Sequence, residues 1–167
     1  AHGAAYEIGP KLLNKFGAEV VLTGVVPDGC NINHECGSVH PQHMIELVKK
    51  HNADLGIALD GDADRVLLAD AYGNVVDGDG ILYVLAVYGK SNTRLVKGIV
   101  GTIMTNFGLE LACQEHGIAF ERSNVGDRHV LEKMYAKSWT LGGETSGHII
   151  QLDKGTTGDG LLTAISV

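Results

Sequence analysis

The chain has 167 residues, 44% hydrophobic and 20% charged, the balance of an ordinary globular protein of one domain or two small ones. Its formal net charge of −7, without any basic stripe, argues against nucleic acid as a partner. No apolar run reaches the roughly 18 residues that a membrane span needs, and 23 glycines against 5% aromatic residues predict many tight turns.

The three cysteines, Cys30, Cys36 and Cys113, form no dense framework, so reduced thiols and a cytoplasmic location are expected. Ala1-His2-Gly3 is not a signal peptide. The first residue is not methionine and the last four, Ala164-Ile165-Ser166-Val167, lie inside an apolar run, so the chain reads as a piece of a longer protein.

In chain order, Ala5, Ile8, Leu12, Leu13 and Phe16 recur at helical spacing and Gly17 stops that helix. Glu19-Val20-Val21-Leu22 reads as a strand. Residues 27–41 form a long loop, and Pro41 opens a helix through about His51, with Met44, Ile45 and Val48 on one face. Leu55–Leu59 reads as a buried strand running straight into an acidic loop. Val66–Ala69 resumes a strand, which Tyr72-Gly73-Asn74 turns. A second unit begins near Gly78, with helices over Ile81–Tyr88, Phe107–His116, Val130–Tyr135 and from Gly160 onwards. Its strands are Ile99–Gly101, Ile118–Phe120 and His148–Ile150. This alternation predicts the α/β class: two layered α/β units, mostly parallel mixed sheets, and helices packed on them. Ligands in such sheets sit at the carboxyl ends of strands.

The acidic loop is Asp60-Gly61-Asp62-Ala63-Asp64-Arg65. On extended backbone its three aspartates would point one way. Like charges that close repel unless a cation or protons compensate, and a hard divalent cation with oxygen ligands is the natural compensation. Gly61 and Ala63 leave the concave side open. Arg65 and a metal could together hold a phosphate. A solvated acidic turn is the plain alternative, made less apt by the apolar strands on either side. An EF-hand is excluded, because its glycine and glutamate positions hold Arg65 and Ala71.

A second polar loop, Gly142-Gly143-Glu144-Thr145-Ser146-Gly147-His148, brings Glu144, Ser146 and His148 into alternation. Glu and Ser suit sugar hydroxyls, and His exchanges protons near neutral pH. A hydrolase elbow does not fit, since Glu144 stands where that motif needs glycine. An ordinary glycine hairpin fits the spacing equally well. In Val125-Gly126-Asp127-Arg128-His129, Arg128 is a candidate phosphate contact, although an exposed arginine is more often just solvated. Cys30, His34, Cys36, His40 and His43 are zinc-ligand types within fourteen residues, but their spacing matches no common finger.

With these motifs the chain resembles the α-D-phosphohexomutases, whose metal loop reads D-G-D-x-D-R and whose sugar loop reads G-E-x-S-G-H. Here they stand at Asp60–Arg65 and Gly143–His148, and Gly126–Arg128 is similar to a further active-site loop. Asn31–Asn33, Cys36–Pro41 and Asp153–Gly160 are similar to the branch acting on glucosamine phosphates.

The resemblance implies two units of the phosphohexomutase type, residues 1–77 as most of domain II and 78–167 as nearly all of domain III. It implies an enzyme that interconverts glucosamine 6-phosphate and glucosamine 1-phosphate for cell-wall precursor synthesis, through a phosphoserine and a bisphosphate. Mannose and glucose phosphates, or a sugar-phosphate-binding module without turnover, are the alternatives. Asp60, Asp62 and Asp64 would hold Mg²⁺. Arg65 and His148 would be the catalytic pair, one steadying the phosphate and the other near the reacting oxygen. Glu144 and Ser146 would bind the sugar, with Arg128 ancillary. The phosphoserine loop and the terminal phosphate loop, expected in domains I and IV of the same polypeptide, are not in this sequence. Neither nucleic acid nor a membrane is expected as a partner.

Overall fold

The computed structural model describes residues 1–91 and 96–167, the side chains of 89–91 aside. It divides into two compact units, Ala1–Val76 with Gly160–Ile165, and Asp77–Asp159 with Ser166–Val167.

The first unit opens with helix α1 (Ile8–Lys15) and continues with α2 (Gln42–His51). Pro41 is the N-cap of α2, where its missing N–H costs nothing, and Asn52 ends the helix in the left-handed region at φ 49°. Three strands come next, β1 (Leu55–Leu59), β2 (Val66–Asp70) and β3 (Val75–Val76), in the order β1-β2-β3. Met44 and Val48, one helical turn apart, pack on Ala58 and Ala69 of this sheet, with Ile45 at the edge of the cluster.

Both pairings in this sheet are antiparallel. The mostly parallel arrangement expected from the alternation of elements therefore does not hold in the first unit. Only residues 60–65 separate β1 from β2, and a parallel pairing would need a crossover of about a dozen residues or more. The expected strand Glu19–Leu22 is also absent; that stretch joins no sheet among the described residues. It lines a groove of about 630 Å³ together with Leu55, Gly56 and Ile57 of β1. β1 is an edge strand, and a segment without a ladder partner is not a strand, whatever its β-propensity.

The second unit runs α3 (Gly78–Ser91), β4 (Gly98–Thr102), α4 (Phe107–Glu115), β5 (Ala119–Ser123), α5 (Asp127–Lys137), β6 (Leu141–Gly143) and β7 (Ile149–Gln151). Its sheet has the order β5-β4-β6-β7. β4 pairs parallel with β5 and β6, while β6 and β7 form an antiparallel hairpin. β4 is buried at every position, as a central parallel strand should be. Val100, Val130, Met134 and Ile150 form one core cluster beneath α5. Ile81, Leu82, Leu85 and Ala86 bury the opposite stripe of α3 from its solvent side. Because β4, β5 and β6 are parallel, the loops after them leave the sheet at the same edge.

The last helix, α6 (Gly160–Ser166), comes after the second unit in sequence, yet its residues Gly160–Ile165 pack with the first. The Gly160 N–H donates to the Ala63 carbonyl at 2.8 Å. Among the described residues no helix is long and apolar enough to cross a membrane.

A candidate metal centre and a candidate sugar loop

The acidic loop is the turn of the β1–β2 hairpin. The Asp60 N–H donates to the Arg65 carbonyl at 3.3 Å and closes it. Extended backbone is therefore not what brings the aspartates together. Residues 61–64 are bent, and Ala63 sits in the left-handed region at φ 63°. The curl nevertheless gathers carboxylate oxygens of Asp60, Asp62 and Asp64 within 4.8 Å of one another. Asp60 is buried, Asp64 half-buried and Asp62 exposed.

Gly61 does not leave open space, as its small size suggested. A Cβ there would lie 2.6 Å from Ile32 Cδ1. The Gly61 carbonyl accepts from the Ala4 N–H at 2.8 Å. The loop is thus held on one side by Ala4 and on the other by Gly160.

Arg65 is the built-in counter-charge. Its backbone N–H donates to Asp60 Oδ1 at 3.1 Å, its Nε to Asp60 Oδ2 at 2.7 Å, and Nε lies 3.5 Å from Asp64 Oδ1. Burial pushes the Asp60 carboxyl up, but the hydrogen bonds from the Arg65 backbone and side chain outweigh it and hold the group below its ordinary range. Burial also pulls the Arg65 guanidinium down, and its bond to Asp60 and the charges of Asp60, Asp64 and Asp62 lift it. Three carboxylates against one guanidinium leave a local negative excess. An all-oxygen donor set of this size suits a small hard divalent cation. Among the described residues this is the one group of three or more His, Cys, Asp or Glu drawn this close. The Cys30, His34, Cys36, His40 and His43 set is not gathered; Cys30 is exposed and Cys36 buried.

The second loop is a hairpin turn between β6 and β7. The Glu144 N–H donates to the His148 carbonyl at 3.0 Å, and the Gly147 N–H to the Glu144 carbonyl at 2.9 Å, with Gly147 at φ 91°. Glu144, Ser146 and His148 therefore do not alternate on a strand. Ser146 is exposed at the tip, Glu144 is half-buried, and His148 is 6% exposed. His148 Nε2 accepts from the Gly158 N–H at 3.2 Å, which leaves Nδ1 to carry the proton of a neutral ring. Glu144 reaches sideways: its Oε1 accepts from the Gly126 N–H at 2.8 Å. The loop after β6 is thereby tied to the loop after β5.

Arg128 lies in the first turn of α5, its side chain 84% exposed and paired with Glu132 at 2.9 Å. Near the end of β5 a hollow of about 430 Å³ is lined by Arg122, Ser123, Asn124 and Lys133. Its cations serve the fold: Arg122 donates to Glu110 and to the Thr102 and Thr105 carbonyls, and Lys133 to the Arg122 carbonyl.

Asp79, at the hairpin, belongs to no motif read from the sequence. Its Oδ2 accepts from the Thr145 hydroxyl at 3.0 Å and from the Asn106 N–H at 2.8 Å. The signal that could have exposed Asp79 is its place in the first turn of an apolar helix, where a carboxylate is expected to accept N–H bonds.

Comparison with known proteins covers nearly the whole chain. Residues 1–73 match phosphoglucomutase/phosphomannomutase alpha/beta/alpha domain II, and residues 77–167 match domain III of the same family. The phosphoglucosamine mutases of Shewanella sediminis and Albidiferax ferrireducens are 54% and 53% identical to the chain over all 167 residues. The chain spans 38% of the length of each. Among solved structures, a phosphoglucomutase/phosphomannomutase family protein from Burkholderia thailandensis superposes with a TM-score of 0.82 at 26% identity, covering 98% of this chain and 36% of that one. An Aspergillus fumigatus N-acetylphosphoglucosamine mutase, in complex with GlcNAc-6P and magnesium, superposes with a TM-score of 0.62 at 25% identity, covering 84% of this chain and 33% of that one. With both domain patterns matched in order along nearly its whole length, the chain belongs to the phosphoglucomutase/phosphomannomutase family.

Proposed function

We propose that this chain supplies the metal loop and the sugar loop of a phosphoglucosamine mutase, which interconverts glucosamine 6-phosphate and glucosamine 1-phosphate through a phosphoserine and a bisphosphate. The observation that carries this reading is the 53% identity to a phosphoglucosamine mutase over an alignment that spans all 167 residues. The phosphoserine and a terminal phosphate loop would come from domains I and IV of the same polypeptide, and the product would serve cell-wall precursor synthesis in the cytoplasm.

Asp60, Asp62 and Asp64 would hold Mg²⁺, which when bound neutralises charge on the phosphoryl oxygens. Arg65 steadies the phosphate. Two observations support that role: its Nε is engaged by Asp60, and the side chain stays 39% exposed. Glu144 and Ser146 hold sugar hydroxyls; Ser146 is exposed at the tip, and Glu144 keeps an oxygen beyond the one that Gly126 uses. His148 stands near the reacting oxygen, its ring oriented by the Gly158 N–H, and Arg128 adds a peripheral contact. Residues 1–77 and 78–167 act as the two domains.

The test is a mutase assay on a polypeptide of the relatives' length that carries this chain, with glucosamine 6-phosphate, glucose 6-phosphate and mannose 6-phosphate in parallel. Turnover highest on glucosamine 6-phosphate and lost on Asp62→Asn is expected. Preference for glucose or mannose phosphate would move the chain to another branch of the family, and no turnover on any of them would remove the reading.

A further inference from the structure

We propose that Asp79 is a positioning residue that sets the Glu144–Gly147 hairpin, and with it the sugar-binding groups. The inference rests on the reading of that hairpin as a sugar loop. Asp79 is 5% exposed, so its carboxylate stays buried only because something replaces water. The replacements are specific. Oδ2 accepts the Thr145 hydroxyl at 3.0 Å and the backbone N–H of Asn106, the N-cap of α4, at 2.8 Å. Asp79 itself lies in the first turn of α3. The carboxylate therefore sits in the first turn of one helix and accepts the N-cap N–H of another.

The start of α3 grips the same hairpin through the backbone. The Gly78 N–H donates to the Thr145 carbonyl at 3.1 Å. A Cβ on Gly78 would fall on the Glu144 carbonyl oxygen. Thr145 is thus held at its hydroxyl and its carbonyl by consecutive residues of α3. Glu144 and Ser146 flank it, so their directions depend on its placement.

Asp79 also joins the loops after the parallel strands. Through Asn106 it holds the turn after β4, where the Thr102 N–H donates to Thr105 Oγ1 at 3.0 Å. Through Thr145 it holds the turn after β6. Glu144 Oε1 then reaches the Gly126 N–H after β5 at 2.8 Å. One buried carboxylate and one half-buried carboxylate fix three loops at the edge where ligands of such sheets bind. Oδ1 of Asp79 is buried without a hydrogen-bond partner among the described residues, an arrangement that is costly for a group whose role is only to cap a helix.

The experiment compares Thr145→Val, Thr145→Ser and Asp79→Ala in the 167-residue chain and in a relative-length polypeptide carrying it. Amide hydrogen exchange is followed at Gly147 and Gly126, and glucosamine 6-phosphate binding is measured by calorimetry. Thr145→Val should speed exchange at both amides about tenfold and weaken sugar-phosphate binding by a similar factor. Thr145→Ser, which keeps the hydroxyl, should restore both. Asp79→Ala should do the same as Thr145→Val and also lower Tm, since it leaves the Asn106 N–H without its acceptor; Thr145→Val leaves that bond intact. Unchanged exchange at Gly147 and Gly126 in Thr145→Val would overturn the positioning role, whatever the ligand. Faster exchange in a protein whose wild type binds no sugar phosphate would support the positioning role and overturn the sugar-loop reading.

Discussion

The tripeptide Asp-Gly-Asp occurs twice, at Asp60–Asp62 and at Asp77–Asp79, and it does different work in the two places. The first copy comes after a strand and turns a hairpin. Its carboxylates converge, repel one another, and are offset by Arg65 with charge left over for a cation. The second copy opens an apolar helix. Asp77 Oδ1 accepts the Gly80 N–H at 3.0 Å, and Asp79 is consumed by Thr145 and Asn106. The element that the tripeptide leads into decides its chemistry. A hairpin turn throws three side chains to one side, whereas a helix start supplies N–H groups that absorb the charge.

The two glycines sharpen this difference. A Cβ on Gly78 meets backbone that cannot move aside, while a Cβ on Gly61 meets the tip of Ile32, which is 57% exposed and can turn away. Gly78→Ala should cost about 3 kcal/mol in urea unfolding and Gly61→Ala about 1 kcal/mol or less. Equal losses would erase the distinction.

The second unit also holds a buried thiol that reports on its packing. Cys113 is fully buried, and burial, with Glu110 adding to it, pushes its thiol from 9.0 up to about 11. Exposed Cys30 should therefore be alkylated about 100-fold faster than Cys113 at pH 8. The raised value means that the folded chain keeps a proton the unfolded chain gives up. The associated stability is complete below pH 9.0 and falls as pH rises toward 11, so Cys113→Ala should flatten the alkaline decline. Similar alkylation rates at the two thiols would show that this core is open.

In the first unit, Arg65→Ala leaves Asp60 buried without its guanidinium. A fully buried pair would lose about 3–5 kcal/mol, and the 39% exposure of Arg65 reduces the expected loss to about 2 kcal/mol. Added Mg²⁺ should recover part of it by supplying the missing positive charge. A variant as stable as wild type would mean that Asp60 needs no partner.

Most helices and strands were legible because their apolar spacing is regular: Leu55–Leu59 as a strand and Gln42–His51 as a helix come directly from it. Strand direction in the first unit was less so, since alternation suggested parallel strands and only the short 60–65 connection dictates a hairpin. Glu19–Leu22 has strand composition without a partner, and pairing is a tertiary property. The metal-type residues were readable because three like charges at close spacing demand an explanation within a few residues. Their convergence comes from the left-handed Ala63 rather than from an extended backbone. Asp79 escaped notice because its partners, Asn106 and Thr145, lie 27 and 66 residues away. No local pattern encodes such a bond.

The most direct measurement is a Mg²⁺ titration of the 167-residue chain by calorimetry, with Mn²⁺ resonance as a second probe, on wild type, Asp62→Asn and Asp79→Asn. Weak saturable binding at one site is expected, abolished by Asp62→Asn and retained by Asp79→Asn. Binding that survives Asp62→Asn, or that is lost only with Asp79→Asn, would contradict the assignment of the metal to the first Asp-Gly-Asp.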